Sequence, residues 1–196
     1  MSTCRILLLY YSRNGHVAEM ARIIARGIHE VENCEAVIRT VPPVSPDTGA
    51  PLPAVPEDGP PYCTLTDLEH CHGLVLGSPS RFGNMAAPLK HFLDTTGNLW
   101  FSGTLSGKPA GVFVSAASMH GGHESTQLSM MIPLLHHGML IVGVPPECRA
   151  LRETRSGGTP YGPSHVDRGD ATLDEHEKAI CLAFGRRVAH TAVQLS

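Results

Sequence analysis

Short runs of Leu, Ile, Val and Ala recur along this chain without polar alternation, and helical patterns separate most of them. The first is Ile6 to Tyr11, then "EAVIRTV" around Val37, Leu74 to Gly77, Ala110 to Ser115 and Met139 to Val144. A strand that faces solvent on one side alternates apolar and polar residues. β-branched or Leu-rich runs of 4–7 residues without that alternation predict strands covered on both faces. Between the first two runs, Val17, Met20, Ala21, Ile24 and Ile28 make an i, i+3, i+4, i+7, i+11 stripe along one helix face. "NMAAPLKHFLDTTG" predicts a second helix, with Asn84 as cap, Leu89, Phe92 and Leu93 inward, and Gly97 as its end. "ESTQLSMMIPLLHHG" predicts a third, although Pro133 inside it costs about 3 kcal/mol or kinks it. "TLDEHEKAICLAFGRRVAHTAVQL" predicts the last, with Thr172 as cap and Glu175 three residues on, the spacing of a capping box. Strands alternating with helices mean an α/β fold, a doubly wound parallel sheet with helices on both faces.

With 196 residues, the chain reads as one domain over 1–196, large enough to fold without disulfides or a metal. Its formal charge is −3 and its Lys and Arg are dispersed, which argues against nucleic acid as a partner. No signal peptide and no apolar stretch of about 20 residues is written here, so the expectation is a cytoplasmic protein with no integral membrane segment. The six cysteines show no C-x-x-C spacing and read as free thiols. Two histidine clusters, His70 with His72 and His120 with His123, lack the accompanying ligands a metal requires, so no metal site is expected. Two segments break the rhythm. Residues 42–61 hold eight prolines in twenty positions, a composition that excludes a helix or central strand and predicts a surface loop. Residues 155–170 form a Gly/Pro-rich loop before the last helix, of a length that is either functional or disordered.

Ligands of doubly wound sheets bind beyond the carboxyl ends of the strands, where strand order reverses. Three such ends carry unusual sequences. "SRNGHV" turns at Gly15 into a helix whose first N–H groups have no intrahelical partner and suit a phosphate, with Ser12 and Asn14 completing the cup. The same residues also make an ordinary helix entry, and neither G-x-x-x-x-G-K nor G-x-G-x-x-G is present. "GSPSRFGNM" and "SAASMHGGHE" set small residues beside one larger group, letting backbone approach a flat ligand. In the first of these, Phe82 is either a stacking surface or core, and Arg81 either a ligand contact or a solvated charge.

Together, "YYSRNGH", "GSPSRFGNM", "FLDTTGNLW", "HGGHEST", "LLHHGM" and "GGTPYG", in that order, resemble the WrbA-type NAD(P)H:quinone oxidoreductases over nearly the whole chain. The resemblance implies a flavodoxin-like five-stranded parallel sheet in order 2-1-3-4-5, with FMN in its crevice. It also implies a homotetramer, a dimer of dimers, in which neighbouring subunits complete each active site. By the same resemblance Ser12, Arg13, Asn14, Gly15, His16 and Val17 cradle the FMN phosphate. Ser80, Arg81 and Phe82 line the ribityl chain and ring. Ser115, Ala116, Ala117, Ser118 and Gly121 meet the pyrimidine edge, with Ala116 and Ala117 offering no hydroxyl there. His136 lies over the flavin as the catalytic residue, and Trp100 walls the substrate pocket. Asn14 stands where relatives often carry Tyr or another side chain near the nicotinamide nucleotide.

The implied activity is two-electron, ping-pong reduction of quinones to hydroquinones by NADH or NADPH, with quinone and nicotinamide nucleotide as small-molecule partners. His136 would orient the quinone oxygen in either protonation state, or else sit satisfied by backbone at a helix end, the role expected of His137. The alternatives are a flavodoxin-like electron carrier and an FMN-binding interaction or regulatory protein. A carrier is disfavoured by the small net charge and by only 5% aromatic residues.

Overall fold

The computed structural model of the chain describes residues 3–45, 56, 58–169 and 171–196. Its sheet is built from β1 (Cys4–Tyr10), β2 (Cys34–Thr40), β3 (Gly73–Pro79), β4 (Pro109–Ala116), β5 (Leu140–Ile141) and β6 (Ser164–Val166). All neighbours run parallel, in the order β2-β1-β3-β4-β5. The helices are α1 (His16–His29), α2 (Leu65–Glu69), α3 (Ala87–Asp94), α4 (Gly97–Phe101), α5 (His123–His136), α6 (Arg149–Glu153) and α7 (Glu175–Leu195).

The runs of β1, β3 and β4 have the predicted cause, whereas β2 and β5 are only partly covered. In β1, Ile6, Leu8 and Tyr10 face one hydrophobic layer with α1 and α7, while Leu7 and Leu9 face another with α3 and α5. The stripe Val17, Met20, Ala21, Ile24 and Ile28 is buried in the first layer. There α1 and α7 pack with bare backbone between them. A Cβ on Gly27 would lie 2.3 Å from the Leu182 carbonyl oxygen, and one on Gly185 would lie 2.3 Å from that of Ile24.

The structure differs from the sequence expectations at five places. The sheet has six strands instead of five. β5 is only two residues long, because the chain after it turns to the 155–170 loop, where the Val144 N–H bonds the Pro160 carbonyl at 3.1 Å. The vacated edge is taken by β6 from that loop, with Val114, Ser115 and Ala116 in register with Ser164, His165 and Val166. α7 is capped by Asp174 and Glu177, which bond each other's backbone N–H, and not by Thr172 and Glu175. Asn84 does not cap α3: its side chain accepts from the Met85 N–H, and the helix starts after Ala86 with Pro88 in its first turn. Gly97 opens the short helix α4 where it was expected to end the preceding one. Pro133 sits inside α5 as predicted.

Of the Pro-rich segment, 46–55 and 57 lie outside the described residues, as does Asp170 of the second loop. At the far end of the first segment the chain rejoins the sheet edge, with the Cys63 N–H bonding the Thr40 carbonyl at 2.8 Å. All six cysteines are free thiols.

Candidate functional site

The carboxyl ends of β1, β3 and β4 open onto one cleft of about 260 Å³. The turn after β1 contributes Ser12, Arg13 and Asn14, and the start of α1 contributes His16 and Val17. The end of β3 and the loop after it contribute Pro79, Ser80, Arg81 and Phe82, and the end of β4 and its loop contribute Ser115 to Ser118 and Gly121. The three sequences singled out separately are therefore brought together.

Each wall has a local cause. Gly15 is the N-cap of α1 at φ 90°, in the left-handed region, and gives the helix no side-chain cap. The first-turn N–H groups are left to other partners; the Ala18 N–H lies 3.4 Å from Ser12 Oγ. After β3 the Arg81 and Asn84 backbones pair in both directions at 2.8 and 3.0 Å, closing a turn with Phe82 at φ 53° and Gly83 at φ 76°. That turn projects Phe82 fully into solvent, which removes the core alternative for this ring. Positive φ at a bulky residue is strained and persists where the surroundings enforce it. Ser80 ties this loop to the next, its N–H donating to the Ser115 carbonyl at 2.8 Å and its hydroxyl to the Gly121 carbonyl at 2.8 Å. Gly121 is needed for that closeness, since a Cβ there would lie 2.7 Å from the Ala116 methyl.

His136 and Trp100 are placed elsewhere on the chain. They line a second cleft of about 460 Å³ with Lys90, Leu93, Ile132 and Pro133, sharing no residue with the first. Their rings lie 5.4 Å apart between centroids, tilted by 36°. His137 is the structural partner: its Nε2 is 2.9 Å from Thr96 Oγ1, whose hydroxyl donates to the Leu93 carbonyl, so the ring N–H donates to Thr96. Burial, and then the neighbouring His136, hold its pKa below the ordinary value.

Sequence reasoning missed one part of the first cleft. Asp167, just past β6, also lines it, and His16 Nε2 is 3.2 Å from Asp167 Oδ2. His16 Nδ1 lies 3.2 Å from Nε2 of His165, and His165 Nδ1 lies 2.8 Å from Glu177 Oε2. Both imidazoles and Glu177 are buried. Burial alone would raise the Glu177 pKa, but hydrogen bonds from His165, the Gly157 N–H and the Ser156 hydroxyl bring it down from 4.5 to about 2. The available signal was "SHVD": in a strand, His165 and Asp167 fall on the same face. Among the described residues, no group of three or more His, Cys, Asp or Glu is placed to hold a metal ion.

Comparison with known proteins sets this geometry among its relatives. The family model described as NADPH-dependent FMN reductase matches residues 11–145, which include the cleft-lining segments that follow β1, β3 and β4. The chain is 39% identical to a NAD(P)H dehydrogenase (quinone) of Solidesulfovibrio magneticus, over 97% of this chain and 98% of that one. It is 42% identical to one of Acidithiobacillus ferrooxidans, with the same coverage of each. Among solved structures it resembles a WrbA-like flavodoxin protein from Agrobacterium tumefaciens, with a TM-score of 0.69 at 22% identity over 98% and 99% of the two chains. It also resembles oxidised Flavodoxin 1 from Bacillus cereus, with a TM-score of 0.60 at 19% identity over 97% of each. The strand order and helix layers are thus flavodoxin-like, and the chain belongs to the NADPH-dependent FMN reductase family, with relatives named NAD(P)H dehydrogenase (quinone).

Proposed function

We propose that this protein is an FMN-dependent NAD(P)H:quinone oxidoreductase. The observation that carries the reading is the convergence of an uncapped helix N-terminus and two close-packed glycine-bearing loops on one cleft, in a chain of this family. The donor set fits the group. A phosphate at the start of α1 meets first-turn N–H donors, the Ser12 hydroxyl, the Asn14 amide and Arg13, each charge-assisted bond being worth about 1.5–3 kcal/mol. Ser80, Arg81 and the exposed ring of Phe82 are suited to the ribityl chain and a flat heterocycle. Ser115, Ser118 and the backbone around Gly121 are suited to its polar edge, while Ala116 and Ala117 let that backbone come close. Bound FMN supplies two-electron transfer from a reduced nicotinamide to a quinone.

The residues proposed to meet substrate are Asn14, Trp100 and His136, and the last two lie in the other cleft. A neighbouring copy would bring them over the cradle, so the reading includes a homotetramer. Phe101, Ile132, Leu135 and Trp100 are exposed apolar side chains that such an assembly would cover. There His136 would place an N–H against the quinone oxygen as negative charge develops, and Trp100 would exclude water. Among the described residues no helix is long and apolar enough to cross a membrane, and we assign the protein to the cytoplasm.

The purified protein is expected to be yellow. Anaerobic NADH or NADPH should bleach it and benzoquinone should restore the colour; a preparation that stays colourless on addition of FMN removes the proposal. The His136→Ala variant should keep its flavin while steady-state quinone reduction falls roughly tenfold to a hundredfold, the loss from one directed hydrogen bond. Flavin loss in that variant would assign His136 a structural role instead.

A further inference from the structure

His123 opens α5 and is only 4% exposed. Its Nε2 lies 3.0 Å from the Ser118 carbonyl oxygen. A carbonyl only accepts, so Nε2 carries hydrogen and donates it there. Nδ1 is buried and has no partner among the described residues. A buried ring with one nitrogen unmet is less stabilising than an apolar side chain of similar size, so the fold alone does not account for an imidazole here. What the ring reaches is the rim of the proposed flavin cleft, since Ser118 lines it. Along that rim the carbonyls are taken. The Ser115 carbonyl accepts the Ser80 N–H and the Ala116 carbonyl accepts the Asp167 N–H, each at 2.8 Å. The Gly121 carbonyl accepts the Ser80 hydroxyl, whose oxygen in turn accepts from the Thr126 hydroxyl of α5 at 3.0 Å. The Ser118 carbonyl accepts twice, from the Gly121 N–H at 3.0 Å and from His123, which occupies both of its lone pairs. The N–H groups of Ala117 and Ser118 have no acceptor among the described residues. The rim is thus rich in free donors.

We propose that His123 is a positioning residue for this rim: by occupying the second lone pair of the Ser118 carbonyl it keeps the edge donor-rich and tilts binding toward reduced over oxidised flavin, a role that rests on the flavin reading above. His123 is not one of the residues lining the cleft, so it acts through Ser118 and touches no ligand itself. The sign follows from charge. Two-electron reduction adds electron density to the pyrimidine edge of a flavin, which fixed N–H donors stabilise and a bare carbonyl lone pair opposes. Tighter binding of the reduced form raises the potential at which the bound flavin accepts its electron pair. Removing the His123 donor frees a lone pair at Ser118 and loosens the turn that Gly121 alone then closes, so the potential should fall.

The test loads the native protein and three variants, His123→Leu, His123→Asn and His123→Gln, with FMN. Each is titrated anaerobically against a reference dye of known potential, with melting curves alongside. In His123→Leu the reduced-to-oxidised ratio of FMN Kd should rise about threefold to tenfold, the loss of one neutral hydrogen bond. For a two-electron couple that lowers the potential by about 14–30 mV. The melting midpoint should hold or rise, because the unmet Nδ1 is removed and the Gly121 N–H still serves the Ser118 carbonyl. His123→Asn, whose amide ends near the position of Nδ1 and falls short of Ser118, should match the Leu variant. His123→Gln, whose amide reaches the place of Nε2, should restore the native potential. A native potential in the Leu or Asn variant, with FMN bound, overturns the inference and leaves the flavin reading standing. So does a Gln variant that behaves like Leu. A midpoint that drops while the potential holds assigns His123 to the fold alone and overturns it equally. If no form of the protein binds FMN, the flavin reading itself is lost and the inference with it.

Discussion

Glu177→Ala is expected to lower the thermal unfolding midpoint by about 10–15 °C, the equivalent of about 3–5 kcal/mol in a chain of this size. The carboxylate is buried and accepts hydrogen bonds from His165 Nδ1, the Ser156 hydroxyl and the N–H groups of Gly157, Val166 and Asp174. Truncation strands those donors in an interior where water does not replace the lost acceptor. It also removes half of the capping box that starts α7, whose apolar face forms one wall of the core. Glu177→Gln should fall between the two: its amide oxygen still accepts, but its NH₂ group opposes the His165 N–H unless that ring changes tautomer. The pH dependence has a definite sign. The folded pKa of Glu177 is depressed, so its contribution is fully present above its ordinary value of 4.5 and is lost as pH falls toward about 2. The gap in stability between wild type and Glu177→Ala, read from melting curves, should therefore be constant near neutrality and narrow below pH 4.5. An unchanged midpoint at pH 7 would mean that water satisfies these donors.

The same cluster marks the boundary of what sequence could show. The strand cores were legible because burial on both faces leaves an uninterrupted apolar run; Ile6 to Tyr11 and Ala110 to Ser115 carry the pattern and lie at the sheet's centre. The three loops at the cleft were legible for a related reason, since Gly15, Gly83 and Gly121 stand where positive φ or close approach excludes a side chain. β6 was hidden because three residues give no periodicity and lie inside a Gly/Pro-rich segment. Its register with β4 depends on long-range bonds, such as those from Gln127 Nε2 to the Gly162 and Pro163 carbonyls. With β6 unseen, His165 and Asp167 had no defined side, and Glu177 looked like one more charge on an amphipathic helix. The capping box was displaced for a similar reason. Thr172 and Glu175 have suitable spacing, but Asp174 and Glu177 also reach Ser156, a contact that no local pattern encodes. Separating His136 from the cradle was likewise beyond motif order, because the motifs state adjacency along the chain and not which cleft a side chain enters.

Gly15→Val should reduce FMN affinity by about tenfold to a hundredfold, measured by fluorescence quenching, with little change in the far-ultraviolet dichroism. The cause lies in the backbone. Gly15 stands at φ 90°, and its nearest neighbour to an added Cβ is the Ala171 methyl at 3.8 Å, an ordinary contact. The Cβ itself has room there, but a β-branched residue cannot adopt that φ without strain of about 1–3 kcal/mol. The cheapest relief is rotation of the Asn14–Gly15 and Gly15–His16 peptides, which re-aims the amides that open α1. Losing one or two charge-assisted bonds to the phosphate, at about 1.5–3 kcal/mol each, brings the affinity loss into that range or beyond it. The stripe from Val17 to Ile28 remains buried against α7 and the sheet, so the helix should persist while its first turn shifts. Riboflavin provides the control, because it lacks the phosphate and should bind native and variant proteins alike. Equal loss for both flavins would place the damage in the ring site, and unchanged FMN affinity would show that the phosphate does not sit at the start of α1.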